Sequence, residues 1–174
     1  MGVEGLAVAL AHFWGVDEEK VLLAALLHDY AKGESKHQLQ EQLDRCGDFP
    51  ASEEDRKHPE LWHGLVAAEV AKSEFGIEDS EIRSAVAYHT TGIPDFGDVG
   101  ICLYVADTLE PTRKYEGVEE KRREILFAPI KDAARATAAL KLDLLYRKNH
   151  SVHSNTLKML EWLTPNPTGE DTRQ

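Results

Sequence analysis

A histidine and an aspartate stand side by side at His28 and Asp29, at the end of an apolar run through Val21, Leu22, Leu23, Ala24, Ala25, Leu26 and Leu27. Lys32 follows three residues later. Setting an imidazole, a carboxylate and an ammonium at the end of such a run costs free energy unless the groups find partners. The dipeptide alone is weak evidence, because chance supplies a His-Asp pair in roughly every second chain of this composition. Its surroundings decide the matter. Three more polar groups interrupt apolar helical patterns: His63 in Trp62-His63-Gly64, His89 after Ile82 to Tyr88, and Asp107 in Val105-Ala106-Asp107. Any one of these histidines is more simply a core residue bonded to a backbone carbonyl. Four or five together call for a common cause. Imidazole nitrogens and carboxylate oxygens form a mixed donor set suited to iron, manganese or zinc, and a carboxylate can bridge two ions. Two such ions polarise a phosphoryl group, generate a hydroxide nucleophile near neutral pH and hold the leaving oxygen, so that no Ser or Cys nucleophile is needed.

Cations stand where a phosphate could meet them. Lys32 lies three residues after Asp29 and Arg113 six after Asp107, and either could neutralise phosphate oxygens or simply be a solvated helix end. Thr90, Thr91 and Gly92 could supply hydroxyl and backbone N–H donors, although a Thr-Gly pair also ends helices. Glu110 shares a helical face with Asp107 and could hydrogen-bond a ligand. The remaining His12, His37, His58 and His150 read as surface or capping residues, with His58 the one near enough to watch, and Trp62 and Tyr104 read as core aromatics.

The elements that must position these groups are helical throughout, since apolar residues recur at helical spacing and no sustained stretch alternates as a strand would. An all-α domain is expected. Val3, Leu6, Ala7 and Leu10 share a face that breaks at Gly15; Asp17 is placed to cap a helix from Glu18 to about Ala31, apolar nearly all round and so expected at the centre. A polar helix after Gly33 offers Leu39, Leu43 and Cys46 inward, and 47–56 reads as a loop, together a peripheral flap. Further helices are expected from about Pro59 to Phe75, Asp79 to His89, Asp98 to Leu109, then two divided near Pro129 within Val118 to Arg147, and a short one from Asn155 to Leu163. A single domain over 1–164 and a polar tail over 165–174 follow.

Composition bounds the partners. The chain has 174 residues, 42% of them hydrophobic, enough for one core without disulfides or structural metal. Thirty-one acidic against 20 basic residues give a net charge of −11, which argues against nucleic acid or an anionic membrane as partner. An anionic small substrate must therefore be received by a local cationic site or a metal. Two distant cysteines, Cys46 and Cys102, in segments read as helical, suit a reducing compartment, and the N-terminal stretch lacks a targeting pattern, so a cytoplasmic location is expected.

The spacing of His28, Asp29, His63, His89 and Asp107, with the phrases HDYAK, WHG, HTTG and ADTLEPTR, resembles the YqeK family of HD-domain phosphohydrolases over nearly the whole chain. The resemblance implies a single HD-domain helical bundle with a two-iron centre in its core. Asp29 would bridge, His28 and Asp107 would hold one metal, and His63 and His89 the other, with manganese or zinc as alternatives. It implies Asp29 and His63 as catalytic residues and symmetrical hydrolysis of diadenosine tetraphosphate to two ADP. It extends the substrate-binding set to Tyr30, Ala31, Lys32, His63, Thr90, Thr91, Gly92 and Arg113, and, through the C-terminal phrase HSVHSNTLKML, to His153 and Thr156. A homodimer is compatible with such a domain. The family pattern opens with another metal-binding His, three residues before the position aligned with Gly2. Only Met1 precedes Gly2 here, so one protein ligand fewer is implied on the His28–Asp107 metal. A late-assigned start, a trimmed chain or a weakened enzyme would each produce this. The competing expectations are an HD phosphohydrolase of another nucleotide phosphate ester and a non-catalytic nucleotide or metal sensor.

Overall fold

The computed structural model describes residues 2–165, so that all of the expected tail except Pro165 lies outside the described residues. Among those residues the fold is helical, with no strand. Helix α1 (Val3–Trp14) ends where Gly15 turns left-handed at φ 71°, the conformation glycine adopts without a Cβ penalty. Helix α2 (Glu18–Leu27) begins at Asp17, whose Oδ1 accepts from the backbone of Glu19 (3.0 Å) and Lys20 (3.1 Å). Helix α3 (Lys36–Leu43) opens with a reciprocal cap between Ser35 and Gln38, and α5 (Ser80–Tyr88) with an Asp79 cap. The other helices are α4 (Trp62–Ser73), preceded by a 3₁₀ turn from Pro59, α6 (Asp98–Leu109), α7 (Val118–Ile125), α8 (Ile130–Arg147) and α9 (Ser154–Leu163).

Two expectations fail here. The helix that carries His28 ends at Leu27, not near Ala31. From there to Glu34 the chain runs in tight turns, Tyr30 N–H to Leu27 O, Lys32 to Asp29 and Glu34 to Ala31. Such i to i−3 bonds wind the backbone more tightly than an α-helix, and they turn Asp29 toward the interior. Nor is α2 the buried centre: Leu22 and Leu26 face outward, Leu26 at 61% exposure. The centre is α6, where every residue from Val99 to Ala106 is buried and around which α1, α2, α5 and α8 pack. An apolar circumference is necessary for a central helix but does not choose among several candidates; having neighbours on every side does. Cys46 lies just beyond α3 rather than within it; like Cys102, it is free and buried. Trp62 and Tyr104 are core aromatics, as expected.

Gly64 fixes the distance between α4 and α5. A Cβ built there would stand 2.7 Å from the Ala87 carbonyl oxygen and 3.1 Å from that of Val86, so the two helices meet with backbone against backbone. The residue before Gly64 is His63, and the chain leaves α5 at His89. The near contact thus sets those two imidazoles against each other.

Candidate metal centre

His28, His63 and His89 share one device. Each Nδ1 meets a carbonyl one turn back: His28 to Ala25 O at 2.6 Å, His63 to Glu60 O at 2.9 Å, His89 to Val86 O at 2.8 Å. A carbonyl only accepts, so each Nδ1 carries a proton, and in that tautomer the lone pair is on Nε2. Donation of the far nitrogen to a carbonyl is how a metal-ligating imidazole is held in tautomer and orientation.

Those lone pairs converge. His63 Nε2 lies 3.2 Å from His89 Nε2, and Asp29 Oδ1 lies 3.4 Å from the first and 3.8 Å from the second. His28 Nε2 approaches Asp29 Oδ2 at 3.4 Å, and its ring packs edge-on against His89 with centroids 5.0 Å apart. Among the described residues, His28 Nε2 and Asp29 Oδ1 are both buried without a hydrogen-bond partner, an arrangement that costs free energy unless something positive sits between them. Donors about 2.1 Å from a shared ion stand roughly 3.0–3.4 Å apart at right or tetrahedral angles, close to the separations seen. The residues present therefore fit a metal, with Asp29, His63 and His89 as the tightest group. Among the described residues, Thr90 Oγ1, at 3.0 Å from His89 Nε2, is the one hydroxyl that reaches this cluster.

Charge around the cluster keeps it ready for cations. Burial pushes the Asp29 carboxyl up, but the imidazoles of His63 and His28 beside it and the Lys32 ammonium at 2.7 Å outweigh burial and hold the group well below the usual carboxylate range. Asp107 is lowered as well, with burial outweighed chiefly by Lys141 and Arg113. Arg113 clamps Asp107, Nη2 to Oδ1 at 2.6 Å and Nε to the Asp107 carbonyl at 3.0 Å. Burial lowers His89 to about 3, so its imidazole stays neutral.

A cleft of about 700 Å³ opens onto this cluster, lined by His63, His89, Thr90 and Asp107 on the metal side. Its wall carries five cations, Lys32, Arg113, Lys114, Lys141 and Lys148, against three acids, Glu60, Asp107 and Glu110. On a chain of net charge −11, that local excess is the cationic receptor that an anionic substrate requires. Of the expected substrate-binding residues, Lys32, His63, Thr90 and Arg113 line the cleft and the others do not. Tyr30 is exposed and stacks edge-on with Phe75, while Ala31 is buried in the core. The Thr91 carbonyl accepts from Thr156 Oγ1 at 2.9 Å, and Gly92, left-handed at φ 65°, leaves room for Met159. These contacts dock α9. His153 caps α9 by accepting from Asn155 N–H at Nδ1, so its proton sits on Nε2, 3.2 Å from Asp55 Oδ1. That is the opposite tautomer to the three cluster histidines.

Lys141 was not among the expected residues. Its ammonium donates to the Thr90 carbonyl at 2.9 Å and the His89 carbonyl at 3.4 Å and lies 4.0 Å above the Tyr104 ring. Burial lowers it to about 8, although Asp107 pulls it up. The available signal was its register on α8: it stands four and three residues after the buried Thr137 and Ala138, so it falls on the inward face.

A protein-family model for the HD domain matches residues 1–112. The chain is 34% identical to the symmetrical bis(5'-nucleosyl)-tetraphosphatase of Bacillus subtilis, over 94% of this chain and 86% of that one. It is 31% identical to the enzyme of the same name from Halalkalibacterium halodurans, over 90% and 82%. Among solved structures it superposes with a TM-score of 0.84 on a predicted HD superfamily hydrolase involved in NAD metabolism from Clostridium acetobutylicum. That match is 31% identical and covers 93% of this chain and 85% of that one.

Proposed function

The chain belongs to the HD-domain family, within the group of symmetrical bis(5'-nucleosyl)-tetraphosphatases, and from that premise we propose that it hydrolyses diadenosine tetraphosphate to two ADP at the cluster of His28, Asp29, His63, His89 and Asp107. The observation that carries this reading is the convergence of the His63 and His89 lone pairs and Asp29 Oδ1 at the floor of a cationic cleft. His63 and His89 would hold one metal, His28 and Asp107 a second, with Asp29 shared between them; iron is the metal we propose, with manganese and zinc accepted by the same donors. Metal bound there supplies Lewis-acid charge that polarises a phosphoryl group and lowers the pKa of water.

The rest is done by the chain's own groups. Lys32 and Arg113, each already on a carboxylate of the cluster, place positive charge beside the phosphoryl oxygens. Arg113 presents a planar fork that can meet two of those oxygens at once. Thr90 Oγ1, 3.0 Å from His89 Nε2, stands where it can donate to a phosphoryl oxygen bound at the cluster. The three backbone-bonded Nδ1 protons keep the imidazoles from turning during the reaction. Two ADP, rather than unequal fragments, would follow if equal lengths of substrate lie on either side of the cluster.

The test is metal analysis and turnover of Asp29→Asn. The variant keeps the shape of the side chain and removes its charge, so it is expected to lose bound metal and activity together. Stoichiometric metal with full turnover in that variant would sink the assignment.

A further inference from the structure

Helix α8 contributes one whole wall of the cleft, through Lys141, Leu144, Leu145 and Lys148. Positions i, i+3, i+4 and i+7 lie on a single helical face. Seven residues at 1.5 Å rise separate the backbones of Lys141 and Lys148 by about 10.5 Å, and both flexible side chains are long enough to turn inward onto successive phosphates on one side of the cluster. The two cations are not equivalent. Lys141 stands at the metal end, tied to the His89 and Thr90 carbonyls. Lys148 stands at the far end, at the C-terminus of α8, and is exposed. Among the described residues neither has a carboxylate within ion-pair reach. An ammonium has three donors, so Lys141 keeps one after its two carbonyls. Between the two lysines lie Leu144 and Leu145, and Tyr115 lines the same cleft with a buried hydroxyl that has no partner among the described residues.

We propose that α8 is a ruler for polyphosphate length: Lys141 takes the phosphate nearest the metal cluster and Lys148 takes a phosphate toward the distal nucleotide, so that the cleft favours long polyphosphates over mononucleotides and monoesters. This rests on the polyphosphate chemistry proposed above and names the residues that give it substrate specificity. Attraction between Lys148 and the negative end of the helix accounts for a cation at that position, but such an effect is weak and screened at an exposed site. It would give no dependence on chain length.

The experiment measures binding of inorganic pyrophosphate and of inorganic tetrapolyphosphate to the metal-loaded protein by calorimetric titration. The native chain is expected to bind the longer anion more tightly. Lys148→Gln is expected to weaken tetrapolyphosphate binding about 10-fold, the loss of one charge-assisted contact, and to leave pyrophosphate unchanged. Lys141→Gln should weaken both. Lys158→Gln, which removes the same charge from an exposed site on α9, should change neither. Equal weakening of both anions by Lys148→Gln would mean a general field and overturn the ruler, as would no weakening or a native chain indifferent to length. Length-dependent binding by a protein that fails to hydrolyse diadenosine tetraphosphate would leave the ruler standing and remove the proposed activity.

Discussion

Replacing Gly64 with alanine tests how tightly the site depends on helix packing, because the added methyl touches no ligand and alters no charge. The new Cβ would stand 2.7 Å from the Ala87 carbonyl oxygen, where ordinary contact begins at 3.4 Å. The obstructing atom is backbone, so α4 and α5 must separate by about 0.7 Å or shear by a similar amount. Overpacking of this kind costs about 1–3 kcal/mol, while exchanging glycine for alanine within a helix returns about 1 kcal/mol. A net destabilisation of about 0–2 kcal/mol is expected, small enough for Gly64→Ala to fold. The site should suffer more than the fold, because His63 and His89 ride on the two helices being parted and their Nε2 atoms are only 3.2 Å apart. Misplacing catalytic groups by about 1 Å commonly costs on the order of 100-fold in rate. Urea unfolding of the metal-free variant, manganese titration and hydrolysis of diadenosine tetraphosphate separate the two effects. The reasoning is refuted if manganese affinity and turnover stay within twofold of the native chain.

Three further outcomes follow from the same structure. Arg113→Ala should raise KM for diadenosine tetraphosphate and leave metal content unchanged, since it removes a phosphate contact without removing a ligand; an unchanged KM would return Arg113 to a purely structural role on Asp107. In EDTA-treated protein, stability should fall as pH drops from about 6.5 toward 3. The folded His89 resists protonation down to about 3 while the unfolded one takes its proton near 6.5, so the unfolded state binds more protons across that window and acid favours it, by on the order of a few kcal/mol. Asp29, held ionised when folded, adds loss of stability in the same direction at the acid end; thermal melts across this range would show the fall, and a flat profile would contradict a neutral buried His89. Gly92→Ala should destabilise the fold without touching metal affinity, because a left-handed φ of 65° and the Met159 sulfur both oppose a side chain there; melting temperature and manganese titration check the two halves.

The parts of the fold that were legible in the sequence are those set by local chemistry. Gly15, Asp17, Asp79 and Pro129 mark helix ends because each acts on the backbone beside it. The choice of α6 over α2 as the centre was not legible, since Leu22 and Leu26 look as buried as Val21 until neighbours are counted. The turns after Leu27 were hidden because Ala31 and Lys32 extend the helical pattern of the apolar run, although His28, Asp29, Tyr30 and Gly33 are weak helix formers. At the site, His28, Asp29, His63, His89 and Asp107 stood out because polar groups in apolar patterns are costly wherever they fall. Lys141 and Lys148 did not, since a lysine on an amphipathic helix ordinarily faces water. Their cleft is assembled by bringing α8 beside His89 and Thr90, 52 and 51 positions before Lys141, a distance no spacing rule spans. His153 and Thr156 illustrate the reverse case, singled out by resemblance and found anchoring α9 rather than lining the cleft.

The most direct test of the central claim is the identity of the nucleotides released when the metal-loaded protein acts on diadenosine tetraphosphate, resolved by ion-exchange chromatography before the substrate is exhausted. Symmetrical cleavage at the His28–Asp29–His63–His89–Asp107 cluster predicts ADP as the only nucleotide product, two for each substrate consumed, with the reaction abolished by Asp29→Asn. AMP and ATP in equal amounts, or no hydrolysis by protein carrying its full complement of metal, would contradict it.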